Sequence, residues 1–132
     1  MMRKPRFVLV ADHHDHLRLF ISELLSRDFE IVRAVADGDE LLRSARFQLP
    51  DVIVSEVFLP LMTGFSVRDE LLALGLSVPF VFLSTLNKEI VEFVPADVTV
   101  AFVYKVDMLG HLTNAIEAVH AGWRYLSPYY CE

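Results

Sequence analysis

The sequence has 132 residues, the length of one domain that can bury a hydrophobic core without metals or disulfides. Its formal net charge of −6 argues against a general nucleic-acid binder, because phosphate contacts need clustered lysine and arginine side chains. Cys131 is the only cysteine, which excludes an intrachain disulfide and favours the reducing cytoplasm. Hydrophobic residues make up 54% of the chain, yet no apolar run approaches the roughly 18–20 residues of a membrane helix. We therefore expect a soluble domain that does not contact a membrane.

Five short apolar segments are predicted to be strands. They are rich in valine, isoleucine and phenylalanine and mostly lack polar alternation, which is typical of strands covered on both faces. The five segments are Phe7–Ala11, Ile31–Val35, Val52–Val57, Phe80–Leu83 and Val100–Tyr104.

Segments of helical periodicity separate these strands. The first has apolar residues spaced three and four apart over Leu17–Leu25. The last has an apolar stripe over Leu109–Trp123, on a helix that is predicted to stop near Gly122. Three further helices are predicted over Asp39–Phe47, Phe65–Leu74 and, cut short by Pro95, Asn87–Val94. The order (βα)5 predicts an α/β domain with one parallel sheet, right-handed crossovers and helices on both faces.

Polar residues follow the predicted strands at the edge where a parallel sheet of this kind binds ligands. Asp12 follows the first strand, Glu56 lies at the end of the third, Ser84 and Thr85 follow the fourth, and Lys105 follows the fifth. Two carboxylates, hydroxyls and a lysine at one edge suit a phosphoryl or cation site. The sequence contains no glycine-rich phosphate loop and no Gly-x-Ser-x-Gly elbow, which argues against nucleotide binding and hydrolase chemistry.

These segments together resemble the receiver domain of bacterial two-component response regulators. The resemblance lies in residues 8–18, in the Pro-Asp…Leu-Pro-x-Met-x-Gly pattern of residues 50–64, in residues 79–85 and in residues 102–105, and residues 118–128 resemble the end of this domain in NarL/FixJ-type (LuxR-type) regulators. It implies a CheY-like, flavodoxin-like, doubly wound sheet of five parallel strands in the order 2-1-3-4-5. It also implies a receiver domain over residues 1–125 and the start of a C-terminal linker over residues 126–132.

The sequence departs from the family pattern at two positions of the pocket. Glu56 stands where the family has its phosphoaccepting aspartate, and His13 stands where it has the second acid of the magnesium-binding pair, whereas Asp12 and Lys105 match the pattern. Magnesium prefers oxygen ligands in near-octahedral geometry, so His13 disfavours it. The additional methylene of Glu56 displaces the carboxylate, and a displacement of ~1 Å can lower a rate ~10²-fold. We therefore expect no bound cofactor, weak or absent magnesium binding, and no metal site, although Asp12, His13 and Glu56 would be its candidate ligands.

The remaining positions that resemble the family belong to its conformational switch. Ser84 matches the switch hydroxyl, with Thr85 beside it, and Phe102 stands at the aromatic switch position. Glu56 is expected to pair with Lys105 and to accept a hydrogen bond from Ser84 or Thr85. Two interpretations stay open: the longer acid mimics a phosphorylated aspartate, or the ion pair only holds the loop.

The sequence is therefore interpreted as an atypical receiver domain that acts in signal transduction and transcription regulation through protein contacts, without phosphorylation and without enzymatic turnover. One alternative is a magnesium-dependent phosphoacceptor that a histidine kinase phosphorylates. The other is a transition-metal sensor that uses His13, His14 and His16 together with Asp12 and Asp15. No distant cysteine or histidine completes such a metal site, so solvated histidines that cap the first helix are the favoured interpretation of this loop.

The partner predictions follow from the resemblance. We expect a homodimer, or contact with an effector domain of the same protein, through the face formed by the fourth helix, fifth strand and fifth helix, where Tyr104 is a candidate contact residue. Trp123 lies on the apolar stripe of the last helix, so it is expected to pack in the core. A DNA-binding domain is expected after residue 132, with no direct contact between this domain and nucleic acid.

Overall fold

The computed structural model describes residues 4–131, which form six strands and four α-helices. The strands are β1 (Phe7–Ala11), β2 (Ile31–Val35), β3 (Val52–Glu56), β4 (Phe80–Ser84), β5 (Val100–Tyr104) and β6 (Tyr125–Leu126). The α-helices are α1 (Asp15–Leu25), α2 (Gly38–Phe47), α3 (Gly64–Ala73) and α4 (Met108–His120). Three short 3-10 helices cover Lys88–Phe93, Lys105–Asp107 and Pro128–Tyr130.

The strands form one parallel sheet in the order β2-β1-β3-β4-β5-β6. This arrangement confirms the predicted α/β fold and the order 2-1-3-4-5, with one additional strand at the β5 edge. The chain runs from β1 outward to β2, returns to β3 and then continues in the other direction. The reversal lies between β1 and β3, which is where doubly wound sheets bind their ligands.

Each face of the sheet has its own hydrophobic core, as the alternation of side chains along a strand requires. Val8 and Val10 of β1 face a cluster that includes Ile21 of α1 and Leu112 of α4. Leu9, between them, faces the opposite cluster, to which α2, α3 and the Lys88–Phe93 segment contribute. Burial on both faces explains why the strands are apolar throughout.

Lys88–Phe93 is a 3-10 helix, where an α-helix over Asn87–Val94 was predicted. Val94 is extended, with φ −121° and ψ 125°, as expected for a residue that precedes proline. Too few residues remain before Pro95 for an α-helix of ordinary length, and short 3-10 segments are common in such connections.

The prediction that Trp123 packs in the core is wrong, because its side chain is 72% exposed. Helix α4 ends at His120, and the chain then turns at Gly122, whose φ of 94° favours glycine. The stripe of apolar residues therefore ends before Trp123, which lies beyond the last helical turn. Leu109, at the other end of the stripe, is also 72% exposed.

Residues 126–131, which the sequence assigns to a linker, pack against the domain. Leu126 pairs with Phe102 as part of β6, and the buried Ser127 accepts a hydrogen bond from the Tyr104 backbone N–H to its Oγ at 2.9 Å. The Tyr129 ring stacks on the Tyr104 ring with centroids 3.9 Å apart. The C-terminal segment thus covers the outer edge of β5.

Among residues 4–131, no helix combines the length and the apolar character needed to cross a lipid bilayer.

Candidate functional site at the carboxyl edge of the sheet

Three strand ends bring Asp12, Glu56 and Lys105 together. Asp12 directly follows β1, Glu56 is the last residue of β3, and Lys105 directly follows β5. The Lys105 Nζ atom lies 3.2 Å from Asp12 Oδ2 and 3.4 Å from Glu56 Oε1. The convergence expected from strand order is thus observed, and it includes the expected Glu56–Lys105 ion pair.

The lysine bridges two acids that are largely removed from solvent. The side chain of Asp12 is 0% exposed, and the side chains of Glu56 and Lys105 are each 12% exposed. Buried ions need both a counter-charge and hydrogen bonds to offset the loss of hydration. Because one lysine faces two carboxylates, the remaining carboxylate oxygens need other partners.

Two histidines face those remaining oxygens. The Nδ1 atom of His13 lies 2.5 Å from Glu56 Oε2, and the His13 backbone N–H donates to the same oxygen at 3.3 Å. The His14 backbone N–H donates to Asp12 Oδ1 at 2.9 Å, and its ring Nδ1 lies 3.5 Å from that oxygen. Each carboxylate therefore directs one oxygen toward Lys105 and the other toward a histidine.

The prediction that histidine side chains cap the first helix is wrong for His14. His14 occupies the N-cap position of α1, but its side chain makes no capping hydrogen bond. The backbone N–H of His14 instead closes a local turn onto Asp12 Oδ1, a competing interaction that aspartate side chains often make. This turn directs the rings of His13 and His14 toward the pocket, and their centroids lie 3.9 Å apart.

Ser84 and Thr85 do not take the partners that the sequence suggests. Ser84 Oγ accepts a hydrogen bond from the Leu86 backbone N–H at 2.8 Å, and Thr85 is exposed. No hydrogen bond from either residue to Glu56 occurs in the described chain, so that expectation is not met. The two residues and Lys105 instead line a cavity of about 40 Å³ beside Glu56.

Tyr130 is a part of this region that the sequence does not reveal. Its ring is 5% exposed and lies 6.1 Å from the ring of the fully buried Phe102, centroid to centroid. Its hydroxyl donates to the Leu86 carbonyl oxygen at 3.0 Å. Burial raises the pKa of Tyr130, although a hydrogen bond with Ser84 opposes this shift. The C-terminal segment is thereby connected to the hydroxyl and the aromatic ring of the predicted switch.

Gly64 packs closely against the end of β3, next to Glu56. A Cβ atom at this position would lie 2.8 Å from both the Glu56 carbonyl oxygen and Ser55 Oγ, closer than side-chain carbons normally approach. Gly64 begins α3, and its N–H donates to the Val57 carbonyl oxygen at 2.8 Å. Because glycine has no Cβ atom, the loop after β3 can return closely against the Glu56 backbone.

Comparison with known protein families identifies the domain family. The sequence profile of the response regulator receiver domain matches residues 8–117. The chain belongs to this family. Receiver domains are signalling domains, and the Asp12–Glu56–Lys105 pocket occupies the carboxyl edge of the receiver sheet.

Individual relatives agree with this assignment. A protein of Pseudomonas aeruginosa is 32% identical over 120 residues, which are 88% of this chain and 57% of that protein. The transcriptional regulatory protein PdtaR of Mycobacterium tuberculosis is 25% identical over 124 residues, which are 93% of this chain and 60% of PdtaR. The chain therefore spans less than two thirds of the length of these relatives.

A solved structure is similar over nearly the whole receiver domain. The LuxR-family two-component response regulator from Aurantimonas sp. SI85-9A1 is 25% identical, with a TM-score of 0.83, and the match covers 97% of this chain and 93% of that one. The similarity therefore extends over nearly all of both chains.

Proposed function

We propose that this receiver domain signals through protein contacts without phosphorylation at Glu56, as part of a cytoplasmic transcription regulator. The observation that carries the proposal is that both oxygens of the Glu56 carboxylate are already bound. Oε1 contacts Lys105, and Oε2 contacts the ring and the backbone N–H of His13.

This arrangement opposes phosphoryl transfer in two ways. A carboxylate nucleophile must approach the donor in line, whereas the Glu56 carboxylate is held by groups on both sides. Magnesium must also bridge the transferring oxygens, and it prefers oxygen ligands, whereas His13 presents nitrogen at the position of the second acid. Glu56 affects the approach of the nucleophile and His13 affects magnesium binding. Because these are different requirements of the same reaction, their effects combine.

The same contacts support a fixed output conformation. Lys105 joins the end of β5 to the ends of β1 and β3. Phe102 is fully buried behind the pocket, and Tyr130 packs against it. In our proposal this conformation presents a constant surface to a partner, and the domain carries out no turnover.

The proposed partner surface is the face that contains β5, α4 and the Lys88–Phe93 segment. Tyr104 lies there but is covered in part by Tyr129, whose backbone N–H donates to Asp107 Oδ2 at 3.1 Å. The partner would be a second receiver domain or the effector domain of the same regulator, for which a DNA-binding domain is the proposal. The apolar side chains of Val106 and Leu109 are 81% and 72% exposed beside this face, and they support a contact role.

Intact-mass spectrometry after incubation with acetyl phosphate and Mg²⁺ tests the proposal. We expect no phosphate on the parent domain. The double variant His13→Asp, Glu56→Asp restores both acids of the family pattern and is expected to gain one phosphate, which shows that the reaction conditions are adequate.

One result would overturn the proposed function. If the parent gains one phosphate and Glu56→Gln does not, Glu56 is a phosphoacceptor. The domain is then a phosphoacceptor, and its signalling depends on phosphorylation.

A further inference from the structure

Four side chains of the pocket form a compact group of metal-binding atoms. Asp12, His13, His14 and Glu56 each offer one ligand atom, and these four atoms lie within 4.8 Å of one another. Two imidazole nitrogens and two carboxylate oxygens are a donor set that binds borderline transition ions. A magnesium site, by comparison, is made of oxygen atoms.

Two backbone hydrogen bonds assemble this group from neighbouring residues. The His14 N–H closes a turn onto Asp12 Oδ1, and the His13 N–H reaches Glu56 Oε2 across the gap between β1 and β3. Consecutive side chains, which would otherwise point apart, thereby face one centre. Glu56, 43 residues from His13 in sequence, supplies the distant ligand.

The ion would bind without displacing Lys105. The lysine contacts Oδ2 of Asp12 and Oε1 of Glu56, whereas the histidines face Oδ1 and Oε2 of the same carboxylates. The guanidinium of Arg18 binds the Asp12 carbonyl oxygen and Asp15, and makes no hydrogen bond to the four ligand side chains. The two acids carry one negative charge more than Lys105 neutralises, which favours a cation.

The four ligand atoms can reach tetrahedral separations by side-chain adjustments of about 1 Å. With bonds of about 2.0–2.1 Å, the ligand atoms of tetrahedral zinc lie about 3.3–3.4 Å apart, so the most separated pair here must approach by at most about 1.5 Å. Asp12 is rigidly buried, but the side chains of His13 and His14 are 38% and 61% exposed and can rotate. The His13 Nδ1 and Glu56 Oε2 atoms, which lie 2.5 Å apart, must also separate by about 0.8 Å. The two exposed histidines can supply most of both adjustments.

We propose that Asp12, His13, His14 and Glu56 bind one divalent transition ion, with Zn²⁺ as its representative, in preference to Mg²⁺. The ion replaces the direct contact between the His13 ring and Glu56. It connects the loop after β1 to the end of β3 from the solvent side, opposite Lys105. This site does not depend on the proposed function. Phosphorylation of Glu56 would overturn the proposed function, whereas the zinc site is tested by a separate binding measurement.

Isothermal titration of the domain, prepared without a polyhistidine tag, with zinc chloride tests the site. We expect one equivalent of Zn²⁺ to bind, and a large excess of magnesium chloride not to displace it. Zinc should also raise the thermal unfolding midpoint, since a ligand that binds only the folded state stabilises it. Cobalt chloride provides a spectroscopic check, because tetrahedral Co²⁺ absorbs visible light much more strongly than octahedral Co²⁺.

Histidine variants distinguish this site from surface binding. His13→Ala and His14→Ala should each weaken zinc binding by at least ~10-fold, the lower end of the loss seen for residues that only support metal ligands. His16→Ala is the matched control: it removes an exposed histidine of the same loop that lies outside the group, and it should bind like the parent. Circular dichroism verifies that each variant is folded.

Two results would overturn the proposal. The first is equal zinc affinity of the parent, His13→Ala and His14→Ala. The second is displacement of zinc by magnesium, which would indicate a site that does not use the histidines.

Discussion

Lys105 has the most consequential environment of any single residue in the pocket. It is the only cation within hydrogen-bonding distance of the Asp12 and Glu56 carboxylates in the described chain, apart from the histidines if they are protonated. Removing one member of a buried ion network leaves an uncompensated charge, which is more destabilising than the loss of the contact alone. The lysine therefore contributes to the stability of the folded domain.

We predict that Lys105→Met lowers the free energy of unfolding by about 3 kcal/mol, because Asp12 then remains buried without its cation. Urea denaturation measures this change. Lys4→Met is the control: it removes the same charge from an exposed pair with Glu117, whose atoms are 3.8 Å apart, and should change stability by less than about 1 kcal/mol.

A double variant separates the charge effect from lost packing. Asp12→Asn with Lys105→Met removes one uncompensated carboxylate, so it should be less destabilised than the sum of the two single variants by about 1 kcal/mol or more. Strict additivity would contradict this interpretation of the ion pair.

The sequence predicts the members of the pocket better than their contacts. Asp12, Glu56 and Lys105 follow from strand order and from the family pattern, because parallel strands bring their carboxyl ends to one edge. The contacts of His13 and His14 do not follow, since they depend on a turn in which a backbone N–H binds the Asp12 side chain. In the proposed zinc site the distant ligand is Glu56, which the sequence analysis named as a candidate magnesium ligand but did not combine with the histidines of the loop.

At the scale of elements, two glycines in helices have opposite environments. Gly38 begins α2, and a Cβ atom there would lie 1.9 Å from the Met62 carbonyl oxygen. Gly110 lies in α4, and a Cβ atom there would meet no other atom within 4 Å. Helix propensity disfavours glycine at both positions. The packing around the two glycines is what distinguishes them.

We predict that Gly38→Ala destabilises the domain by about 1–3 kcal/mol, since the backbone around Met62 must shift to avoid overlap. Gly110→Ala should stabilise it by about 0.5–1 kcal/mol, because alanine favours helix and meets no obstacle. Thermal and urea denaturation of the pair would measure both changes. A stabilising Gly38→Ala would show that the α2–loop contact adjusts freely.

The C-terminal 3-10 helix depends on the Tyr130 hydroxyl. Tyr130→Phe should cost about 1 kcal/mol at neutral pH through loss of the hydrogen bond to the Leu86 carbonyl oxygen. Because burial raises the pKa of Tyr130 above its ordinary value of 10.0, this tyrosine contributes stability that is present below pH 10.0 and lost as the pH rises through the folded-state pKa.

Urea denaturation across alkaline pH checks this prediction. The parent should lose stability more steeply than Tyr130→Phe above pH 10.0. Tyr129→Phe, which removes a hydroxyl from the neighbouring and less buried ring, should follow the parent. Equal slopes for the parent and Tyr130→Phe would contradict the assigned pKa direction.

The accuracy of the element predictions depends on how local their causes are. Strands β1, β2 and β5 begin and end as predicted, because continuous apolar runs bounded by charged or turn residues indicate them directly. β6 was missed because Tyr125 and Leu126 form too short an apolar run, and only pairing with β5 makes them a strand. For Trp123 the prediction extended the helix too far. The helical spacing of apolar residues continues in the sequence beyond the residue at which α4 ends.

At the scale of the whole molecule, stability should decrease from the centre of the sheet toward its C-terminal edge. β1, β3 and β4 each pair with a five-residue strand on both sides. β5 pairs with a five-residue strand on one side and with the short β6 on the other. Local opening occurs where few contacts must break. β6 and the Pro128–Tyr130 helix are thus the expected place for it.

We predict that deletion of residues 125–131 accelerates amide hydrogen exchange in β5, and at Tyr104 in particular, because its N–H loses Ser127 Oγ as an acceptor. The amides of β1 and β3 should keep their slow exchange. Hydrogen–deuterium exchange mass spectrometry measures both. Uniform acceleration in all strands would instead show that the C-terminal segment belongs to the central cooperative unit.

The short strand β6 also covers the β5 edge of the sheet, to which another polypeptide could otherwise bind. An uncovered edge strand is a template on which an extended peptide or a neighbouring molecule can add a further strand. The β2 edge carries the exposed Arg33, a charged residue of the kind that discourages such addition. The β5 edge has no comparable charge within Val100–Tyr104, so detachment of β6 would expose an apolar strand and favour edge-to-edge aggregation.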